Sequence, residues 1–369
     1  MAFYYFLKQD FLDLSHRKFV AGKLISLKSQ IEKDLPKKQS EDLLTIATWN
    51  IRDFGKTNRR GFGFRTKDSH YYIAEILSSF DLVAVQEINE LNEWEKVMKI
   101  LGPDWDYIAT DVTDSSLGGN GERLTFVFDK RKVRFKNVAG EIVLPKKLLI
   151  SESETTETTD EIASGKQFRR TPYVVSFQSN WFKFDICTVH IYYGEGNSGL
   201  SQRVQEIATV AKYLSIKTDQ NLNKEKATIL LGDFNIIRPD HKTMKALEDN
   251  GFVIPKNIKT KKTNVIETMH YDQIAFKSDK NVIDFIDNGN NSGVFKIFDS
   301  VFQSSQSDFD FYENEVRKSE NATPHLDDRE KLFKYYKEWK TYQMSDHNLL
   351  WVRLNTNGSV DYLNKISEQ

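Results

Sequence analysis

The sequence predicts a layered α/β fold in which two β-sheets pack against each other. Short apolar runs rich in β-branched and aromatic residues recur from residue 43 onward, and helical patterns such as 71–80 and 201–214 lie between several of them. Strands that alternate with helices indicate layered α/β architecture, and the number of runs is enough for two sheets. The predicted strands are 43–51, 82–88, 124–129, 173–177, 182–191, 228–236, 271–276 and 347–354.

Residues 1–42 precede the first predicted strand. Phe19, Leu24, Leu27 and Ile31 follow a helical spacing before the charged stretch that ends this segment. We therefore expect a helical extension here and not a separate domain.

Two insertions interrupt the alternation of strands and helices. Residues 151–166 are acidic, polar and nearly free of large apolar side chains, which predicts a surface loop. Residues 303–343 are rich in charges and aromatic rings, and "DDREKLFKYYKEW" predicts a helix with one apolar side. That side carries Leu332, Tyr335, Tyr336 and Trp339. We expect one domain over 43–356 that includes both insertions, and a tail over 357–369.

Composition excludes several classes of protein. The chain has 52 basic and 53 acidic residues, so a polyanion would have to be held by local patches. Its single cysteine, Cys187, excludes an internal disulfide framework and fits a reducing compartment. No apolar run reaches 18 residues, and the first residues lack the cleavage pattern of a signal peptide. We expect a cytoplasmic protein without stable membrane association.

Nearly every predicted strand begins or ends with a polar residue of a type found in metal or acid–base sites. These residues are Asn50, Glu87, His190, Asp233, Asn235, Asp272, Asp346 and His347. Each one alone fits a turn, a helix cap or a hydrogen-bonded core residue. Together they form a set of oxygen ligands with two histidines, at the strand ends where α/β sheets build their sites. Hard oxygen ligands suit Mg²⁺ or Mn²⁺, and histidine moves protons near neutral pH, so the set suits phosphodiester hydrolysis.

The motifs around these residues occur in an order typical of one superfamily. They are TWNIRDFG, VQEI, GER, RRTPYVVSF, TVHI, LLGDFN, YDQIAF and MSDHNLL, between residues 44 and 354. In this order they resemble the endonuclease/exonuclease/phosphatase superfamily and, within it, the deoxyribonuclease I family. The resemblance implies a four-layer α+β sandwich, with helices flanking two face-to-face sheets and a site at one edge.

The resemblance also implies a role for each site residue. Glu87 is expected to be the principal ligand of Mg²⁺ or Mn²⁺, with Asn50 and Asp346 beside it. The expected catalytic residues are His190 with Glu122, His347 with Asp272, and Asp233 with Asn235. The third pair would orient the attacking water and the scissile phosphate, and we assign the general base to His347 with Asp272. Arg170 is expected to contact phosphate, and Arg123 follows Glu122 as it does in the family.

Two positions depart from deoxyribonuclease I. The arginine and the tyrosine that enter the minor groove there are replaced by Asn89 and Asn120. The usual grip on duplex DNA is therefore missing from its usual places.

Two basic clusters offer other contacts with nucleic acid. "KTNRRGFGFRTK" (56–67) interleaves Arg59, Arg60 and further basic residues with Phe62 and Phe64, as nucleic-acid-binding segments do. "PKNIKTKKT" (255–263) adds four lysines before Asp272. The alternative for both clusters is solvated loop charge.

The expected function is a metal-dependent phosphodiesterase, an endonuclease that hydrolyses DNA by in-line attack of water. Two alternatives stay open at this stage. One is a phosphatase or phospholipid phosphodiesterase of the same superfamily, of the inositol-phosphate or sphingomyelin type. The other is a non-catalytic relative that binds nucleic acid. The sequence does not decide between DNA and RNA, single and double strands, or endo and exo cleavage.

Overall fold

The computed structural model describes residues 2–38, 41–56, 59–112, 121–151, 165–220, 226–278, 283–285 and 290–368. The strands are β1 (Leu43–Phe54), β2 (Leu82–Ile88), β3 (Trp105–Ala109), β4 (Arg123–Asp129), β5 (Arg134–Glu141), β6 (Ile150–Ser151), β7 (Gly165–Lys166), β8 (Tyr173–Ser179), β9 (Phe182–His190), β10 (Lys226–Asp233), β11 (Asp272–Lys277), β12 (Asp284–Phe285), β13 (Ser292–Phe295) and β14 (Leu349–Asn355). The helices are α1 (Leu7–Asp10), α2 (Leu14–Asp34), α3 (Lys67–Leu77), α4 (Leu91–Leu101), α5 (Gly196–Asp219), α6 (Lys242–Glu248), α7 (Lys256–Lys259), α8 (Gln306–Arg317), α9 (Arg329–Gln343) and α10 (Ser359–Ser367).

Two sheets form the centre of the fold. The first has the strand order β12-β14-β1-β2-β4-β3, with β13 also pairing with β14, and the second has the order β11-β10-β9-β8-β5. Most neighbours are antiparallel, but β1 pairs with β2 in parallel, and β9 pairs with β10 in parallel. Each parallel pair brings two carboxyl ends to the same edge of its sheet.

The two faces of β1 contribute to different layers. Leu44 and Ile46 belong to the core that also contains β8, β9 and β10, whereas Ala47, Trp49 and Ile51 face a second core built with helices. A strand buried on both faces has this alternation, because successive side chains point to opposite sides of the sheet. The molecule is therefore a four-layer α+β sandwich, as the motif order predicted.

The N-terminal extension and the 303–343 insertion form part of the helical layer on the first sheet. Phe19 of α2 stacks on Phe311 of α8, with ring centroids 3.6 Å apart. Trp339 of α9 is almost fully buried beside Phe302. Both segments thus contribute side chains to one continuous apolar core.

The strand predictions were accurate for the apolar runs, including the edge strand β11, and missed two other edge strands. Neither β3 nor β5 was predicted, and both are edge strands. The side chains of β5 are mostly exposed, so its residues lack the continuous apolar run that marks a buried strand. Residues 359–367 form helix α10 within the expected tail, and residues 152–164 of the expected loop lie outside the described residues. None of the described helices is long and apolar enough to cross a bilayer.

The fold makes a testable prediction about Cys187. This residue lies in the middle of β9, is fully buried, and has a thiol pKa raised by burial. Because the thiolate is the reactive form, the native protein should not react with an aromatic disulfide reagent at pH 8. One thiol per chain should react after denaturation in guanidinium, as measured by absorbance. Rapid reaction of the native protein would contradict the position of β9 in the sheet.

Candidate active site

The site lies at the edge where β1, β2, β9 and β10 end. A cleft of about 270 Å³ opens there, and most of the predicted site residues line it. Those lining it are Asn50, Arg60, Glu87, Arg170, His190, Asp233, Asn235, Asp346 and His347. Glu122 and Asp272 lie behind the two histidines.

Strand register explains why residues far apart in sequence meet here. His190 and Asp233 are the last residues of β9 and β10 and are partners in the parallel ladder. Asp233 is also the ladder partner of Asp272, the first residue of β11. Gly232 has φ of 135°, and a Cβ added there would lie 2.1 Å from the carbonyl oxygen of Val189. The glycine of the LLGDFN motif therefore permits the close approach of β9 and β10 beside the site.

The first histidine is held by a carboxylate that also binds an arginine. His190 Nδ1 lies 2.7 Å from Glu122 Oε1, and Arg170 Nε lies 2.8 Å from the same oxygen. Burial lowers the pKa of His190, but Glu122 and Asp233 outweigh burial and Arg170, and the net shift is upward. Because Nδ1 lies beside Glu122, Nε2 of His190 faces the cleft, 3.6 Å from Asp233 Oδ2.

The second histidine has an equivalent partner on the other side. His347 Nδ1 lies 2.8 Å from Asp272 Oδ2, and the backbone N–H of Asp272 donates to Thr263 Oγ1 at 3.0 Å. Burial lowers the pKa of His347, but Asp272 and Asp233 together raise it well above its ordinary value. Burial raises the pKa of Asp272. Both imidazoles thus have a carboxylate behind them.

Asp233 lies between the two histidines. Its Oδ2 is 3.6 Å from Nε2 of His190 and 3.7 Å from Nε2 of His347. Its Oδ1 accepts the backbone N–H of Asn235 at 2.9 Å. Burial raises the pKa of Asp233, but the two histidines lower it overall, so the carboxylate is ionised at neutral pH.

Asn50 connects Glu87 of the first sheet with Asp233 of the second. Its Nδ2 donates to Glu87 Oε1 at 2.9 Å and to Asp233 Oδ2 at 3.1 Å. The backbone N–H of Asp53 donates to Glu87 Oε2 at 2.7 Å. Glu87 has φ of 66° and Asp53 has φ of 47°, a left-handed conformation that is rare for residues other than glycine. Such strain is typical of sites that position side chains for function.

Comparison with solved structures identifies the fold. A mannosyl-6-phosphatase from Bacteroides thetaiotaomicron is similar, with a TM-score of 0.50 and 17% identity over 84% of this chain and 99% of that one. This chain has the endonuclease/exonuclease/phosphatase fold. An endonuclease/exonuclease/phosphatase family protein from the same organism has a TM-score of 0.49 and 17% identity, over 85% of this chain and 97% of that one. D. rerio TDP2 complexed with single strand DNA product has a TM-score of 0.48 and 13% identity, over 85% of this chain and 99% of that one. No protein-family model matches the chain, and no curated protein matches it.

The edge of the sheets that holds this cleft carries oxygen ligands suited to a hard divalent cation. Burial raises the pKa of Glu87, and the nearby carboxylates of Glu122, Asp53 and Asp346 contribute in the same direction. Ligand atoms of Glu87, Glu122 and His190 lie within 4.8 Å of one another. A divalent cation at Glu87 would offset this accumulated negative charge, so the donor set fits Mg²⁺ or Mn²⁺.

The other two predicted ligands have protein partners in this structure. Asn50 Oδ1 accepts the backbone N–H of Arg52 at 3.0 Å, which leaves the second lone pair of the oxygen for a cation. Asp346 Oδ2 lies 3.5 Å from Arg52 Nη1, and its side chain is 44% exposed. The guanidinium of Arg52 stacks on Tyr342 at 3.7 Å from the ring centroid. Arg52 therefore holds Asp346 against helix α9.

Three of the four predicted substrate-binding arginines have described side chains. Arg170 lines the cleft, and its Nη1 is a buried donor without a hydrogen-bond partner among the described residues. Arg60 lines the cleft and is 73% exposed, with Nε 3.8 Å from Asp53 Oδ2. Arg123 is not among the cleft-lining residues and donates to the carbonyl of Asn89 at 2.7 Å. The side chain of Arg59 lies outside the described part of the structure.

The structure describes one of the two asparagines that replace the groove-binding residues of deoxyribonuclease I. Asn89 is buried, and its Nδ2 donates to the carbonyl of Glu87 at 3.2 Å, so its side chain is part of the protein interior. Asn120 lies outside the described residues.

Sequence reasoning missed Arg203, a buried arginine on α5. Its Nη1 donates to the carbonyl of Asn235 at 2.9 Å, and its Nε donates to the carbonyl of Tyr193 at 3.0 Å. It therefore ties the loop after β9 to the loop after β10. The available signal was its helical spacing from apolar residues of α5, four residues before Ile207 and seven before Val210.

The sequence also missed the aromatic side chains at the cleft. Tyr192, Tyr193 and Tyr271 line it, and Arg169 stacks on Tyr192 at 3.9 Å from the ring centroid. Tyr192 and Tyr193 lie just after the TVHI motif, and Tyr271 was quoted in YDQIAF without a role at the site.

Arg203 is expected to position Asn235. Replacing it with methionine should lower kcat/KM for phosphoester hydrolysis about a hundredfold, since misplacement of about 1 Å has an effect of that size. Arg353 provides a matched control, because it is also buried and donates to the carbonyls of Pro36 and Lys37, and it does not line the cleft. R353M should lose comparable thermal stability while keeping its turnover per folded molecule. Equal turnover losses in R203M and R353M would contradict the assignment.

Proposed function

We propose that this protein is a divalent-metal-dependent phosphoesterase and, within that class, an endonuclease that hydrolyses DNA. The observation that carries the proposal is Asp233 between two carboxylate-backed histidines, with Nε2 atoms at 3.6 and 3.7 Å. Hydrolysis of a phosphodiester needs groups that handle protons on the attacking side and on the leaving side. Asp233 can accept a proton on the attacking side, and a histidine on either side of it can donate one on the leaving side.

We propose Asp233, which lies between the two histidines, as the general base in place of His347. The pKa of His347 is raised and the pKa of Asp233 is lowered, so the imidazole holds a proton when the carboxylate does not. Asp233 is therefore the group that accepts the proton of the attacking water, with Asn235 beside it. His347 and His190 donate hydrogen bonds to the phosphate oxygens, and one of them transfers its Nε2 proton to the leaving oxygen.

The remaining residues bind and orient the phosphate. Arg170, fixed by Glu122, has a buried donor with no described partner and can stabilise negative charge on a nonbridging oxygen. Glu87, with Asn50 and Asp346 nearby, would hold Mg²⁺ or Mn²⁺. When bound, the cation supplies charge neutralisation at the phosphate.

Nucleic acid as the substrate is supported by the residues around the cleft. Tyr192, Tyr193 and Tyr271 line it together with Arg52, Arg60 and Arg170. Aromatic faces stack on bases, and guanidinium groups bind backbone phosphates. DNA in particular is proposed because the motifs resemble deoxyribonuclease I.

A substrate panel tests the proposal. The purified protein is incubated with plasmid, single-stranded DNA, RNA, a sugar phosphate and sphingomyelin, each with Mg²⁺, Mn²⁺ or a chelator. We expect oligonucleotide products from DNA that disappear with the chelator, as measured on denaturing gels. Release of inorganic phosphate from the sugar phosphate alone would instead identify a phosphatase, and cleavage of sphingomyelin alone would identify a lipid phosphodiesterase.

The two histidines are tested by substitution. H190A and H347A should each lower kcat by about 10²- to 10⁴-fold, the usual contribution of acid–base groups. H16A is a matched control, because His16 also contacts a buried aspartate, Asp68, at 2.8 Å but lies outside the cleft. Thermal melting by circular dichroism checks folding. Full activity in either cleft variant would refute the assigned roles.

A further inference from the structure

A second recess lies between helices α3 and α4, beside the candidate active site. Its volume is about 440 Å³, compared with about 270 Å³ for the cleft. Lys67 and Tyr71 of α3 form one wall, and Lys96 and Lys99 of α4 form the other. On α4 the two lysines are three residues apart, so they project from the same helix face.

The recess and the cleft share the loop that follows β1. Lys56 lines the recess, and its Nζ lies 3.3 Å from Oδ1 of Asp53, which lines the cleft. The backbone N–H of Asp53 in turn holds Glu87. A ligand at Glu87 could therefore continue over this loop into the recess.

The lining of the recess is basic. Five lining residues are lysine or arginine and two are acidic. The guanidinium of Arg65 donates to the carbonyls of Ile51, Arg52, Gln343 and Met344. The other four basic residues of the lining are lysines. Lys96 pairs with Glu93 at 2.6 Å, and Lys67 lies 4.0 Å from Asp10. Lys56 pairs with Asp53 of the cleft at 3.3 Å, so Lys99, which lies 3.9 Å from the centroid of the Phe6 ring, is the lysine of this lining that faces no carboxylate of the described residues. The positive charge that remains would attract a polyanion.

Phe64 adds an aromatic surface to this basic lining. Its side chain is 73% exposed, whereas Phe62, two residues earlier, is buried against Tyr342 with ring centroids 3.8 Å apart. Of the two rings that the sequence placed among basic residues, only Phe64 is therefore available to a ligand. An exposed ring among lysines suits a base stacked on its face with phosphates at the ammonium groups.

We propose that this recess binds the single-stranded nucleic acid that flanks the scissile phosphate. The inference rests on the proposed function and specifies its substrate. A single strand exposes the faces of all its bases to a ring such as Phe64, whereas a duplex exposes only the outer faces of its terminal pairs. The recess thus selects strands whose bases are accessible.

The test measures binding without turnover. Fluorescence anisotropy with labelled oligothymidylates of 3 and 12 residues, in chelator, gives the dissociation constants. Wild type should bind the 12-mer at least about tenfold more tightly than the 3-mer. F64A should weaken binding of the 12-mer by about five- to a hundredfold, the range for loss of one stacked base. K96Q/K99Q should reduce the slope of log K against log salt concentration by about 1.4.

Two control variants match the substitutions. Lys318 pairs with Glu315 at 2.6 Å as Lys96 pairs with Glu93, and it does not line the recess. Trp181 is an exposed ring, 51% accessible, at the opposite end of β9 from His190. K318Q and W181A should bind the 12-mer as wild type does.

The outcomes separate this inference from the proposed function. If the protein cleaves DNA but F64A and K96Q/K99Q bind like the controls, the recess proposal is wrong and the nuclease proposal stands. Equal or tighter binding of a 12-base-pair duplex, with the same losses in the variants, would also overturn single-strand selection. Weakened binding in the variants of a protein that cleaves no nucleic acid would support the recess and refute the nuclease.

Discussion

The candidate site depends on a hydrogen-bonded link between two sheets. The buried amide of Gln86 in β2 donates to Thr48 of β1 at 3.1 Å and to Thr188 of β9 at 2.9 Å, directly beneath the cleft. A buried amide that lost these partners would leave unsatisfied polar groups, which is unfavourable by about 1–3 kcal/mol each. The link therefore favours one relative position of the sheets, the position in which Asn50 can contact both Glu87 and Asp233. If the two sheets were placed differently, the proposed metal ligands of the first sheet would be separated from His190 and Asp233 of the second.

The site concentrates buried charge that the rest of the fold must stabilise. Asp233 and Asp272 are buried and ionisable, and each lies close to a histidine. Burying a carboxylate is unfavourable unless a partner is held nearby, so the strand ladder that fixes these partners also makes the charges tolerable. Left-handed backbone at Glu87 and Asn235 adds local strain. The large apolar cores on both faces of the first sheet supply the stability that offsets these terms.

Much of the fold and site could be predicted from sequence because the informative residues lie on buried strands. Apolar runs gave strand positions within a few residues, and polar residues at their ends converged on the cleft, as for His190 and His347. The predictions that failed concerned side chains whose hydrogen-bond partners are distant in sequence. Arg65 was placed in a basic surface cluster, yet its guanidinium binds carbonyls of residues 51, 52, 343 and 344, more than 270 positions away for the last two. No local pattern distinguishes such an arginine from a solvated one. The edge strand β5 escaped prediction because exposed strands carry little periodic signal.

The packing of α2 on α8 has a consequence for how the protein can be divided. Besides the Phe19–Phe311 stack, Lys23 pairs with Asp308 at 2.6 Å and Lys28 pairs with Glu75 at 2.9 Å, and both carboxylates are almost fully buried. Cutting the chain before β1 to obtain a minimal domain would strip these acids of their ammonium partners and uncover the aromatic face of α8. The truncated product would be prone to self-association, so recombinant design should keep the first forty residues.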